Sequence, residues 1–139
     1  MLRVGIPDYR LPQDVLDKEI DYTLGLGIDI ETGKRLGTDF SLDDLVSDGY
    51  KAVFLGIGAH KSMNMNIPGE EELEGVLDAV GFLRDVSMGE RNLPGSRIGI
   101  IGGGNVAIDA ARTALRLGAE EVSIIYKEAV MRCRPIMKR

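Results

Sequence analysis

The chain has 139 residues, 44% hydrophobic and 28% charged, an ordinary make-up for one globular domain. Its formal net charge of -5 argues against the basic surface that binds nucleic acid, so no nucleic acid is expected as a partner. No apolar run approaches the roughly 20 residues of a membrane span. Met1-Leu2-Arg3-Val4-Gly5 lacks the apolar core of a signal peptide, so no membrane partner is expected and the cytoplasm is the expected compartment.

The first helix is expected where Val15, Leu16, Ile20 and Leu24 follow helical spacing, with Gly25 and Gly27 as its stop. Ile28-Asp29-Ile30-Glu31 alternates and reads as a short strand. Ser41 and Asp44 then stand at capping-box positions before a short helix that Gly49 ends. Lys51 to Gly58 is a near-continuous apolar run, the pattern of a strand buried on both faces of a parallel sheet. A loop from Lys61 to Gly69 follows, punctuated by Pro68-Gly69. A helix over Val76 to Leu83 comes next, with Gly89 as its end.

The last third reads most clearly. Arg97 to Ile101 is a strand, Gly102 to Gly104 a turn, and Asn105 to Leu117 an alanine-rich helix closed by Gly118. Glu121 to Tyr126 is a second strand, which completes a βαβ unit. The turn spells Gly102-Gly103-Gly104-Asn105-Val106-Ala107, a Gly-x-Gly-x-x-Ala pattern in the strand-to-helix setting that gives such a pattern meaning. Gly102 permits the sharp turn, Gly104 leaves room for a pyrophosphate, and Ala107 lets the helix approach the sheet. The helix N-terminus offers N–H groups and partial positive charge to phosphates. The sequence therefore predicts a nicotinamide dinucleotide site.

The end of the second strand bears on which dinucleotide. An acidic residue there holds the ribose hydroxyls of NAD, and a basic one accepts the 2′-phosphate of NADP. Tyr126 is followed by Lys127, which favours NADPH, and by Glu128, which leaves NADH open. Arg132 and Arg134 add positive charge, and the whole stretch also reads as a solvated charged segment. The single histidine, His60, reads as a loop residue without a proton-transfer role. The single cysteine, Cys133, rules out a disulfide within the chain and a Cys-x-x-Cys pair. It reads as an incidental thiol, although its basic neighbours would favour the thiolate. No metal site is expected.

Several segments in order resemble one family: Ile6 to Pro12, Tyr50 to His60, Ile67 to Glu70, Glu74 to Val76, Ile101 to Arg112 and Val122 to Tyr126. Together they resemble the small (beta) subunit of NADPH-dependent glutamate synthase and the related flavoprotein half of dihydropyrimidine dehydrogenase. The resemblance implies a Rossmann-like α/β flavoprotein with two dinucleotide sites, in which NADPH passes hydride to FAD and electrons leave through iron-sulfur clusters. It implies that Gly58 and Ala59 lie where the chain crosses back to the FAD domain, and that Arg10 lies near the flavin. It divides the chain into a partial FAD-binding segment (1–60), a crossover with a helix (61–95) and the start of an NAD(P)-binding domain (96–139).

The chain departs from the family pattern by carrying one glycine loop rather than two, no cysteine-rich cluster domain, and Glu128 where the family tends to have a second basic residue. It reads as an internal piece of a longer flavoprotein or a truncated gene product. Its expected partners are the rest of that flavoprotein or a larger catalytic subunit, and an iron-sulfur domain. Alone it is expected to bind FAD poorly. The rival reading is a non-enzymatic nucleotide-binding or assembly module; a thioredoxin-reductase-like disulfide reductase is disfavoured by the missing Cys-x-x-Cys pair.

Overall fold

Two parallel strands and the helix between them organise the C-terminal third of the computed structural model, which describes residues 1–59, 61–127 and 129–133. Strand β1 (Arg97–Ile101) lies parallel to β2 (Glu121–Tyr126), in register from Arg97 opposite Glu121 to Ile101 opposite Ile125. Helix α5 (Asn105–Leu117) connects them and packs on both. Its buried face is Ala107, Ala110, Ala111 and Ala114, side chains small enough to bring the helix backbone close to the sheet. Val122, wholly buried, and Ile124 meet that face from β2, with Ile98 and Ile100 beside them from β1. Gly118 closes the helix in the left-handed conformation at φ 104°, and the Ala119 N–H reaches back to the Ala114 carbonyl.

A third strand was not expected. Strand β3 (Ala129–Cys133) returns antiparallel along β2, with Ala129 opposite Tyr126 and Cys133 opposite Val122. The stretch read as a solvated charged segment therefore satisfies the backbone groups on the outer edge of β2. Its charges hid its apolar residues Ala129, Val130 and Met131 from a reading based on charge runs. The βαβ unit stands as expected, but its sheet is mixed rather than purely parallel. Glu128 and Arg134 lie outside the described residues.

The molecule divides into two compact units, each with its own description. The first comprises Met1–Leu16 and the residues from Lys61 onward. It holds the sheet, α5, a one-turn helix α1 (Leu2–Gly5) and helix α4 (Ala79–Ser87), which packs on both α1 and α5. Helix α4 begins three residues later than its apolar pattern suggested. Asp78 is the reason: its carboxylate accepts from the Val80 and Gly81 N–H groups and fixes the N-cap there. Leu83 is the buried anchor of α4, and Phe82 packs on the alanine face of α5 and its sheet partners.

The second unit is Asp17–His60. It contains most of α2 (Gln13–Leu24) and all of α3 (Leu42–Ser47). The expected capping box is present: Ser41 Oγ accepts from the Asp44 N–H, and the Asp44 carboxylate accepts from the Ser41 N–H at 2.8 Å. The strands expected at Ile28 to Glu31 and Lys51 to Gly58 are not formed. A strand exists only through a neighbour that takes its backbone hydrogen bonds, and no described residue pairs with either segment. Residues 51–59 are exposed, with Phe54 94% accessible, so apolar composition predicted a burial this unit does not provide. His60 lies outside the described residues.

Candidate functional site

The turn from β1 into α5 has the backbone that a phosphate needs. Gly102 sits at φ 126°, a conformation that side-chain-bearing residues rarely adopt, and its N–H donates to the Ile125 carbonyl at 2.9 Å. That bond ties the turn to the end of β2. A Cβ placed on Gly102 would lie 3.7 Å from the Cβ of Ala107, so the turn and the first buried residue of α5 are in contact. Gly104 is the N-cap, extended at φ -80° and ψ 177°, and brings no side chain to cap the helix. The first helical bond runs from the Ile108 N–H to the Gly104 carbonyl, so the N–H groups of Asn105, Val106 and Ala107 come before it. Nothing lies within 4 Å of the place where a Cβ on Gly104 would stand. The helix N-terminus thus faces open space, with Asn105 and Val106 exposed beside it and Ala107 buried beneath.

Tyr126 closes one side of this turn. Its ring lies against the backbone of Gly103, and its other surfaces leave it 45% exposed. The Lys127 ammonium is 5.9 Å from the centre of the Tyr126 ring, at the outer limit of a cation–π contact. The structure brings Gly102 to Ala107, Tyr126 and Lys127 together at the C-terminal end of the parallel strands, where ligands of open α/β sheets bind.

Arg10 has a definite partner. Its Nε donates to the Asp109 carboxylate at 2.5 Å, and Asp109 lies in the second turn of α5 with its side chain 8% exposed. The neighbouring Tyr9 hydroxyl is 3.3 Å from both the carbonyl and the carboxylate of Asp109. The Arg112 and Arg116 guanidinium groups lie over the Tyr9 ring at 4.3 and 3.9 Å. Asp109 and Tyr9 were missed by sequence reasoning. Both stand inside segments that carry the family resemblance, but pairing them requires contacts across 100 residues of chain. Gly58 and Ala59 belong to the second unit, where Gly58 turns the chain at φ 69°.

A separate apolar cleft of about 490 Å³ lies between the 62–79 segment and β1, lined by Val76, Phe82, Ile98, Ile100 and Ala110 among others. None of the residues from Gly102 to Ala107 lines it. The Gly102–Ala107 turn is marked by its positive-φ glycine and the N–H groups that precede the first helical bond rather than by enclosure. Among the described residues, no cluster of three or more His, Cys, Asp or Glu could hold a metal ion, and no helix is long and apolar enough to cross a membrane.

Comparison with known proteins agrees with this geometry. The chain is 46% identical over 131 residues to the NADP(+)-dependent formate dehydrogenase subunit beta of Moorella thermoacetica, covering 93% of this chain and 18% of that protein. It is 42% identical over 134 residues to the NADPH-Fe(3+) oxidoreductase subunit beta of Geobacter sulfurreducens, covering 93% and 19%. It is 35% identical over 138 residues to the glutamate synthase [NADPH] small chain of Escherichia coli, covering 91% and 29%. The chain therefore spans less than a third of the length of each of these relatives. A family described as pyridine nucleotide-disulphide oxidoreductase matches residues 7–138, and the chain belongs to that oxidoreductase family.

Proposed function

We propose that this chain is part of an FAD-dependent NAD(P)H oxidoreductase that takes hydride from NADPH and delivers it to FAD. The observation that carries the reading is the Gly102–Ala107 turn, with a positive-φ glycine, an N-cap without a side chain and open space before the α5 N-terminus. NADPH, when bound, supplies the hydride, and FAD accepts it.

The chain's own residues bind and orient. The N–H groups of Asn105, Val106 and Ala107 would hold the pyrophosphate, supported by the positive end of the helix. Gly104 leaves the approach clear. Tyr126 borders the turn, and Lys127 beside it would hold the 2′-phosphate, which would favour NADPH over NADH. Gly58, at positive φ and without a Cβ, is a place where backbone can approach a flavin. Relatives of several kinds share this segment. One is named for formate, one for ferric iron and one for glutamate synthase, so the segment supplies the common step of exchanging hydride with the NADP couple, and the other redox partner is set by the rest of each protein. The partners are accordingly the remainder of the flavoprotein or a larger catalytic subunit, with an iron-sulfur domain beyond the flavin.

The test is direct binding. Titration of the chain with NADPH and NADH, followed by nicotinamide fluorescence, should give tighter binding of NADPH, and Lys127→Ala should remove the preference while retaining NADH binding. Failure to bind either nucleotide would sink the reading.

A further inference from the structure

The Arg10–Asp109 pair poses an electrostatic problem and shows its solution. Asp109 lies four residues into α5 from Asn105, which is about 6 Å along the helix axis. Side chains on a helix lean toward its N-terminus, so the Asp109 carboxylate is brought nearer to the place where the pyrophosphate would sit. Its side chain is 8% exposed, so water screens it poorly. A lone carboxylate there would repel the negative charge of a pyrophosphate and cancel part of the helix's favourable end charge. The charged groups around it are Arg10, which donates to it directly, and Arg112 and Arg116, which stack on Tyr9 rather than on the carboxylate. Tyr9 contributes a hydroxyl but no charge.

We infer that Arg10 is a positioning residue for dinucleotide binding: it neutralises Asp109 behind the phosphate-binding turn, and so supports pyrophosphate affinity without touching the ligand. This rests on the reading of Gly102–Ala107 as the dinucleotide turn. It assigns Arg10 a role toward the nicotinamide nucleotide, carried by a contact within the first unit. The same contact holds the segment around Tyr9 and Arg10 on the helix, so a purely mechanical clasp is the competing explanation. The two explanations differ in sign. A clasp is broken by removing either partner. Charge compensation is harmed by removing Arg10 and not by neutralising Asp109.

The experiment is a double-mutant cycle on the 139-residue chain, with NADPH affinity read by fluorescence titration and folding checked by circular dichroism. Arg10→Ala should weaken NADPH binding about tenfold, the scale of one uncompensated charge near the ligand in partly screened surroundings. Asp109→Asn should leave affinity unchanged or tighten it, and the double variant should return to within about threefold of the original chain. Arg10→Met, which keeps the aliphatic stem, carries the same expectation if Arg10→Ala does not fold. Weaker binding in Asp109→Asn, matching that in Arg10→Ala, would overturn the inference in favour of a clasp. Unchanged affinity in both Arg10 variants would overturn it as well. Loss of all NADPH affinity in the original chain would instead remove the reading of the turn on which it rests.

Discussion

The ring of Tyr126 fills the space that a side chain on Gly103 would need. A Cβ on Gly103 would stand 2.9 Å from Tyr126 Cδ2 and 3.2 Å from both Cε2 and Cγ. The middle glycine of the turn is therefore favoured by the protein's own aromatic residue before any ligand is considered. The last residue of β2 and the turn after β1 are pressed into one surface.

Gly103→Ala should accordingly push the Tyr126 ring outward. Because the ring is half exposed it can yield, so the cost should be near the low end of overpacking, about 1 kcal/mol. Thermal unfolding measures this. Combining Gly103→Ala with Tyr126→Ala should relieve the clash, so the double variant should lose less stability than the two single losses added together. Strict additivity would mean that the ring and the glycine do not compete for space.

The flanking glycines should behave differently from each other. Gly104 is extended and has nothing within 4 Å of a Cβ position, so Gly104→Ala should cost stability only about 0.5 kcal/mol, the difference between Gly and Ala at an N-cap. On the proposed function, its methyl group would stand in the path of the pyrophosphate, so NADPH affinity should fall at least about tenfold, through the steric exclusion that a glycine at this position avoids. Gly102→Ala should do the reverse at first order. Its φ of 126° strains any L-residue by about 1–3 kcal/mol, so unfolding temperature should drop before binding is examined. Equal stability losses in the two variants would contradict this division of roles.

The βαβ unit was legible because each of its signals is local. The apolar runs of β1 and β2, the alanine face of α5 and the stop at Gly118 lie within a few residues of the structure they determine. The capping box at Ser41 and Asp44 was legible for the same reason. Lys51 to Gly58 was misread because its apolar composition implies a neighbouring strand, and no composition can say whether that neighbour is at hand. Strand β3 was missed in the opposite way, since a hairpin return is set by the edge of β2 that awaits it and not by the charges the returning segment carries. At the candidate site, the glycines could be read from their spacing. Asp109 could not, because an aspartate in a helix acquires its meaning only when Arg10 and Tyr9 arrive from 99 and 100 residues away.

The capping box in the second unit predicts a titration. The Asp44 carboxyl is held below its ordinary value of 3.8 by the Ser41 backbone N–H first and the Ser41 hydroxyl second, against a small opposing effect of burial. A lowered value in the folded state means that the box supports α3 above the ordinary value, and that this support fades as pH falls through the lowered one. Ser41→Ala should move the Asp44 titration back toward 3.8, as followed by the carbon NMR signal of its carboxyl. An unmoved midpoint would show that the hydroxyl plays no part.

Asp78 is the more consequential cap, because the helix it starts carries Leu83 and Phe82 into the core. Burial pushes the Asp78 carboxyl up. The Ser62 hydroxyl, the Gly81 and Val80 N–H groups and the Arg84 charge outweigh it, and the net effect lowers the value below 3.8. The ionised cap therefore supports α4 above the ordinary carboxylate value, and that support is lost as pH falls through the lowered value. Asp78→Ala removes the acceptor for both N–H groups and should cost about 1 kcal/mol at neutral pH. Asp78→Asn keeps a good N-cap without a charge, so it should hold most of the stability at pH 7 and flatten the contribution of this site to acid unfolding. Comparing the thermal unfolding of the three chains at pH 7 and near pH 3 separates the two effects. The gap between the original chain and Asp78→Asn should narrow as the pH falls, because protonation makes the two caps electrically alike; an original chain less stable than Asp78→Asn at pH 7 would mean that the charge of Asp78 works against α4.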